Sequence, residues 1–408
     1  MNNKKNPLVG SGQGTSTLAL AASGAPKKQV PATNTSFSPM MPHSDSAMTT
    51  QTNWPTEGWE LTTPEAQGLH SSGLAKMLKI FRHQAVHSVA VIRNGHLVAE
   101  AYNEETGTDI LQDMKSVTKS ITSALVGIAL SEFKLSSIDQ KAADFFPELA
   151  TDPVKSRIML KHLLSMTSGT SWDNANERSS TEMMYAEDWV QYILERPAQA
   201  EPGASFNYSN GDAHLLSAIM TQATGESMFD YAVSRLFGPL GIKEMNWNQD
   251  PQEHTIGAWA MALTLRDMAK LGYLYLNEGQ WEDKTLIPQP WIRESLTRKI
   301  TLNYSNGTQG GYGFYWWSKT LPPGLIKGDK KAYDMYYASG SGGRRIFVVP
   351  DLQLVVAMTA ESADVDMPEN LLHHVVQAVR SANPLPENSV AQDELERAIR
   401  LFKMSIES

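Results

Sequence analysis

The chain has 408 residues, 41% hydrophobic and 8% aromatic, with a formal net charge of −9 and no cysteine. Such a length and apolar content suit one large buried core. The negative balance argues against a nucleic-acid partner, and the missing thiols exclude disulfides, thiolate metal sites and a cysteine nucleophile.

Residues 1–53 read as a flexible leader or weak signal-like segment. Lys4 and Lys5 precede the apolar run Leu18 to Ala22, but the polar, glycine-rich stretch 10–17 interrupts it. Residues 26–53, rich in Pro, Ser, Thr and Asn, have the composition of an unstructured arm. Compartment stays open between periplasm or secretion and cytoplasm. No stretch reaches the roughly 20 apolar residues of a membrane span.

Folding is expected to begin near Trp54. Residues 71–81 carry the spacing of an amphipathic helix. Residues 89–92 and 97–99 are apolar runs flanking Asn94-Gly95, a hairpin signal.

Ser116-Val117-Thr118-Lys119 then opens an apolar run, 121–130, that reads as a buried helix. Three residues apart on a helix, Ser116 and Lys119 share a face, so the amine can reach the hydroxyl. A serine needs a base to become a nucleophile, and a lysine in apolar surroundings can give up its proton and serve as one. The structural alternative for Ser116 is a helix N-cap. A second Ser-x-x-Lys, Ser131 to Lys134, falls where the apolar run ends and reads as a solvated helix terminus.

Residues 134–300 read as a mostly helical insert, with helical runs at 142–146, 163–166, 189–194, after Asn210, at 228–237 and at 265–275. His162 reads as a structural histidine. Trp172 and Tyr185 read as loop anchors or pocket walls, and Asp173 and Glu177 as candidates for binding an amine. Tyr208-Ser209-Asn210 follows a Pro-Gly turn. It offers a phenol that can relay a proton and an amide that can fix a carbonyl. The same letters recur at Asn303 to Gly307 without a following helix, so Tyr304 reads as a turn residue.

Strands are expected at 313–318, 334–338, 345–349 and 352–358, and a last helix at 369–381. Trp316 and Trp317 should face opposite sides of a strand. Gly340-Ser341-Gly342-Gly343 lets backbone approach a ligand and present N–H groups to an oxyanion; the alternative is an ordinary glycine turn. His373 and His374 read as packing and surface, and residues 386–408 as a charged C-terminal tail. Strands at both ends with helices between predict an α+β fold, 54–385, with an antiparallel sheet built from N- and C-terminal segments and flanked by helices. No His-Glu-x-x-His, metal-spaced cluster or Gly-x-Ser-x-Gly occurs, so no metal or other cofactor is assigned.

Ser-x-x-Lys, Tyr-x-Asn and a Gly-rich strand, in that order, resemble the serine hydrolases of the penicillin-binding-protein and class C β-lactamase superfamily. Residues 161–169, 263–272 and 312–317 are similar to further stretches of that family, and the Trp-Trp pair to its esterase and 6-aminohexanoate-dimer hydrolase branch. The resemblance implies a β-lactamase/transpeptidase-like fold and an acyl-enzyme on Ser116. Lys119 would be proton acceptor, Tyr208 relay to the leaving group, and Asn210 a substrate-orienting residue. Backbone near 340–343 would hold the oxyanion. One departure stands out. The third motif lacks the basic residue that would bind a substrate carboxylate, with Arg344 and Arg345 as unplaced substitutes. The expected partner is a small-molecule ester or amide, with weak or absent β-lactamase activity. The alternative is a penicillin-recognising protein, β-lactamase or D-peptidase that acylates at Ser116 with little turnover. Oligomeric state is not legible.

Overall fold

Apolar runs on both sides of Asn94-Gly95 make the first hairpin, β1 (Val86–Arg93) and β2 (His96–Tyr102). Both turn residues take positive φ, 49° and 80°, as a tight two-residue hairpin requires. The computed structural model describes residues 54–304 and 308–404. The leader assigned to 1–53 therefore lies outside the described residues.

Helix α1 (Ser71–Phe81) precedes this hairpin, and α2 (Thr118–Ser131) follows it. The middle of the chain contributes α3 (Asn210–Thr224), α4 (Leu265–Leu276) and α5 (Gln289–Leu296), with shorter helical segments between. The C-terminal part adds β3 (Ile300–Asn303), β4 (Gln309–Tyr312), β5 (Trp317–Leu321), β6 (Tyr333–Gly340), β7 (Arg344–Val349) and β8 (Leu354–Ala360). It ends in α6 (Met367–Ala378) and α7 (Ser389–Lys403). The strands form one sheet in the order β2-β1-β8-β7-β6-β5-β4-β3, every pair antiparallel. The β1–β8 ladder, with Val91 opposite Val356, joins the two ends of the chain. This is the β-lactamase/transpeptidase-like α+β architecture.

Both faces of the sheet are covered. Ala90, Ile92, Ile346 and Val355 face the layer that holds α2 and α4. Val89, Val91, Phe347 and Val356 face α1, α6 and α7. Helix α2 is buried from Thr118 through Ala129, which fits a sequence apolar on all sides. It runs so close to α5 that a β-carbon at Gly127 would lie 2.2 Å from the Trp291 ring.

Two expectations differ. Residues 313–318 are not one strand: Tyr315 takes φ 65°, and Gly313 N–H donates to the Trp316 carbonyl at 2.8 Å. The run of aromatics therefore folds into a turn between β4 and β5. Within the stretch 386–408, Ser389–Lys403 is helix α7, burying Ala391, Leu395, Ala398 and Phe402 while its charges face water. Its apolar stripe is hidden among charged neighbours in the sequence. A small three-stranded sheet of residues 112–113, 246–247 and 261–263 was also not anticipated.

Candidate active site

Ser116 does not cap α2. It lies on a single 3-10 turn, Lys115–Val117, that runs directly into the helix, and Val117 occupies the N-cap position. Lys115 takes φ 49°, a strained conformation for a non-glycine residue, which directs the next side chain out of the helical path. Ser116 is partly exposed.

Lys119, one turn on, is 1% exposed. Its amine meets three oxygens: Ser116 Oγ at 2.9 Å, Asn210 Oδ1 at 2.7 Å and the Ala258 carbonyl at 2.8 Å. Burial drives its pKa well below the ordinary lysine value, partly opposed by the charge of Glu177. Two of its three partners can only accept. A neutral amine has two N–H bonds for those two, so its lone pair must face Ser116, the one partner able to donate.

Tyr208 stands beside this pair, its ring centroid 4.9 Å from the Lys119 amine. Burial raises the phenol to about 12, with the Ser116 side chain and the Arg345 charge each offsetting part of the rise. The amine and phenol are thus pushed apart, one toward a base and the other toward an acid. The phenol ring stacks on Trp317 at 6.2 Å.

Tyr208 and Asn210 are held by the chain around 166–174. Asn207 N–H donates to the Met166 carbonyl at 2.9 Å, and Gly203 N–H to that of Thr167 at 2.8 Å. Ser168 Oγ donates to Asp212 in the first turn of α3 at 2.8 Å, and Asn174 Nδ2 donates to the Tyr208 carbonyl at 2.5 Å. Ser209 caps α3. The amide of Asn210 is engaged at both ends, accepting from Lys119 and donating to Ser180 Oγ at 2.8 Å. The Ala258 carbonyl sits on a loop tied to α2 and α3: Thr122 Oγ1 donates to the Gly257 carbonyl at 2.8 Å, and the buried His214 and Asp250 side chains meet at 2.9 Å. Ala258, Ser180 and Asn174 carry no motif and were missed from sequence.

The Gly-rich segment divides. Gly340 ends β6 directly against the chain before Ser116: a β-carbon there would lie 2.5 Å from the Met114 carbonyl and 3.1 Å from Lys115 Cβ. Ser341 follows, partly exposed. Gly342 and Gly343 turn with φ 74° and 102° toward other neighbours. Gly342 adjoins Glu361 and the Ala360 carbonyl, and Gly343 adjoins Ala360 and Met367.

The decoys fall elsewhere. Ser131 Oγ donates to the Ile128 carbonyl at the end of α2. Tyr304 N–H donates to the Thr308 carbonyl at 2.9 Å, and its ring lies under the Lys319 amine. His162 Nδ1 accepts the Met159 N–H at the start of a short helix. Trp172 is buried against Gly211, Tyr185 is 88% exposed, and Trp316 packs on Tyr275 in the core. His374 packs edge-on against Phe81. Among the described residues no helix is long and apolar enough to cross a membrane.

The same fold recurs among solved structures. A Bacillus anthracis protein named for 6-aminohexanoate-dimer hydrolase superposes with a TM-score of 0.64 at 18% identity, covering 82% of this chain and 89% of that one. EstCE1, a hydrolase described as having promiscuous acyltransferase activity, gives 0.61 at 16% identity over 76% and 99%. A class C β-lactamase gives 0.58 at 15% over 76% and 96%. At these identities the likeness is one of fold. The family model described as Beta-lactamase matches residues 75–379, and the chain belongs to that family.

Proposed function

We propose that the protein is a serine hydrolase that cleaves an ester or amide through an acyl-enzyme on Ser116. The neutral Lys119 amine takes the hydroxyl proton as Ser116 Oγ bonds to the substrate carbonyl carbon. The carbonyl electron pair moves onto oxygen, which faces backbone N–H groups of Ser116 and of the chain at 340–341. Collapse breaks the bond to the leaving group, which receives a proton from Tyr208; the phenol is replenished from Lys119. Water then attacks the acyl-enzyme by the same route in reverse. Asn210 serves as the positioning residue for the Lys119 amine.

The observation that carries this reading is the trio of oxygens around Lys119, two of them unable to donate. Weak or absent β-lactamase turnover is expected because Ser339-Gly340-Ser341 has no basic residue in its first position, where a carboxylate-binding cation would stand. The test is a panel of p-nitrophenyl esters, nitrocefin, D-Ala-D-Ala peptides and aminohexanoate dimers, assayed with the protein and with Ser116→Ala. Steady turnover of an ester or amide that disappears in Ser116→Ala is expected. Turnover retained in that variant ends the assignment, and a burst without a steady state indicates a protein that acylates and stalls.

A further inference from the structure

Lys115 stands immediately before Ser116 with φ 49°, in the left-handed region that a residue with a β-carbon occupies only at a cost. The peptide that follows it carries the Ser116 N–H, so the torsions of Lys115 aim both that N–H and the hydroxyl. Whatever fixes those torsions belongs to the site. On one side Met114 is held by backbone: its N–H donates to the Met261 carbonyl at 2.9 Å, and its carbonyl abuts Gly340. On the other side the Lys115 carbonyl accepts Thr118 Oγ1 at 2.7 Å. The N–H of Lys115 itself is held by a side chain, donating to Asp113 Oδ1 at 2.9 Å.

Asp113 is fixed through its main chain. Its carbonyl accepts Arg344 Nε at 3.3 Å, from an arginine paired with Glu361 at 2.6 Å, and it lies opposite Ala262 in the small sheet. Any residue at 113 would supply those main-chain atoms. The carboxylate alone is particular to aspartate, and it makes two contacts. Oδ2 pairs with the Lys115 amine at 2.6 Å, but the two side chains are 40% and 44% exposed, so solvent and salt leave the pair little weight. Oδ1 takes the Lys115 N–H in a charge-assisted bond. That N–H lies in the peptide whose rotation sets φ at Lys115, so this is the contact that opposes relaxation of the strained turn.

We propose that Asp113 is a positioning residue: its carboxylate locks Lys115 in the left-handed conformation and thereby holds the Ser116 hydroxyl 2.9 Å from the Lys119 amine. That the hydroxyl is a nucleophile rests on the hydrolase reading above; that Asp113 sets its position does not.

The experiment removes the carboxylate in three backgrounds. In the otherwise unaltered protein, Asp113→Ala lowers kcat on a p-nitrophenyl ester about ten- to a hundredfold with KM little changed, the scale of a misplaced reacting group. Asp113→Asn keeps an oxygen for the N–H and recovers most of the loss. In a Lys115→Gly background the left-handed conformation carries no strain, and the fall caused by Asp113→Ala shrinks to about twofold or less. In a Lys115→Met background the β-carbon remains while the ion pair is gone, and the full fall persists. A fall that vanishes in both backgrounds assigns the effect to the ion pair and overturns the proposal. So does a fall of equal size in all three, or none in the first. Circular dichroism checks each fold; if Asp113→Ala is unfolded, Asp113→Gln replaces it, because the longer side chain does not close the same turn.

The same set is read without turnover by the rate at which diisopropyl fluorophosphate labels Ser116. There the Ser116 oxygen bonds to phosphorus, its proton passes to Lys119, and fluoride leaves. If the labelling rates follow the predicted pattern while no ester or amide is hydrolysed, the hydrolase reading falls and the positioning role stands. If the unaltered protein shows neither turnover nor adduct, both fall.

Discussion

The carbonyl oxygen of Ala258 lies 2.8 Å from the Lys119 amine, across a sequence separation of 139 residues. That contact belongs to no motif, yet it helps decide where the lone pair of the amine points. With the Asn210 carbonyl oxygen it uses both N–H bonds of a neutral lysine and leaves the serine as the remaining partner.

The first prediction concerns pH. Burial holds the Lys119 pKa well below 10.5, and the phenol of Tyr208 is raised to about 12. The base must be neutral and the acid protonated, so kcat/KM should rise with pH through a limb well below 10.5 and fall only toward about 12. A pH–rate profile on a stable ester checks it; a rising limb at or above the ordinary lysine value contradicts it.

The same burial makes a stability prediction. Between the depressed folded value and the unfolded value of 10.5, the unfolded chain binds more protons at Lys119 than the folded chain. Stability from this group therefore grows as pH rises through that window and is lost as pH falls through the folded value. Lys119→Met removes the dependence. Denaturant melts from about pH 6 to about pH 10 should show the unaltered protein gaining on the variant as pH increases.

Asn210→Leu removes one of the two obligate acceptors and frees an N–H that can turn toward Ser116. A fall in kcat of about ten- to a hundredfold is expected, with KM changing much less, because the amide acts on the amine and not on substrate. A loss confined to KM would instead assign Asn210 to substrate contact.

Tyr208→Phe keeps the stack on Trp317 and deletes the proposed proton donor. Amides and alkyl esters, whose leaving groups need a proton, should lose about a hundredfold or more in kcat. A p-nitrophenyl ester, whose leaving group departs as an anion, should lose much less. Equal losses on both would remove the leaving-group role.

Gly127→Ala tests the seat of α2. The added methyl meets the Trp291 ring at 2.2 Å, and overpacking of this kind costs about 1–3 kcal/mol. Thermal and denaturant melts should show the loss. An unperturbed melting curve would mean that α5 moves away freely.

Much of this arrangement was legible because it is written locally. The Asn94-Gly95 turn, the helix over residues 71–81 and the face shared by Ser116 and Lys119 each depend on a few adjacent residues. Residues 161–169 and 263–272 were recognisable as motifs, but their work is largely support. Ser168 holds Asp212 under the Tyr208 loop, and Arg266 bridges to Glu100 on β2 at 2.5 Å. The aromatic run at 312–317 misled because alternation alone does not reveal a positive φ at Tyr315. That turn sends Trp316 into the core and Trp317 onto Tyr208. Ala258, Ser180 and Asn174 act through a backbone carbonyl or a common polar side chain, and only the tertiary fold brings them to the site. Arg344 and Arg345 were indistinguishable until their register partners and Glu361 were in place.

The central claim is tested most directly by intact-mass spectrometry of the protein quenched with acid during turnover of a p-nitrophenyl ester. The account predicts a mass increase equal to the acyl group, mapped to Ser116 by peptide fragmentation, larger at steady state when deacylation is slowed, and absent from Ser116→Ala. An acyl group on any other residue, or steady hydrolysis with no adduct in the protein and none lost in Ser116→Ala, would contradict it.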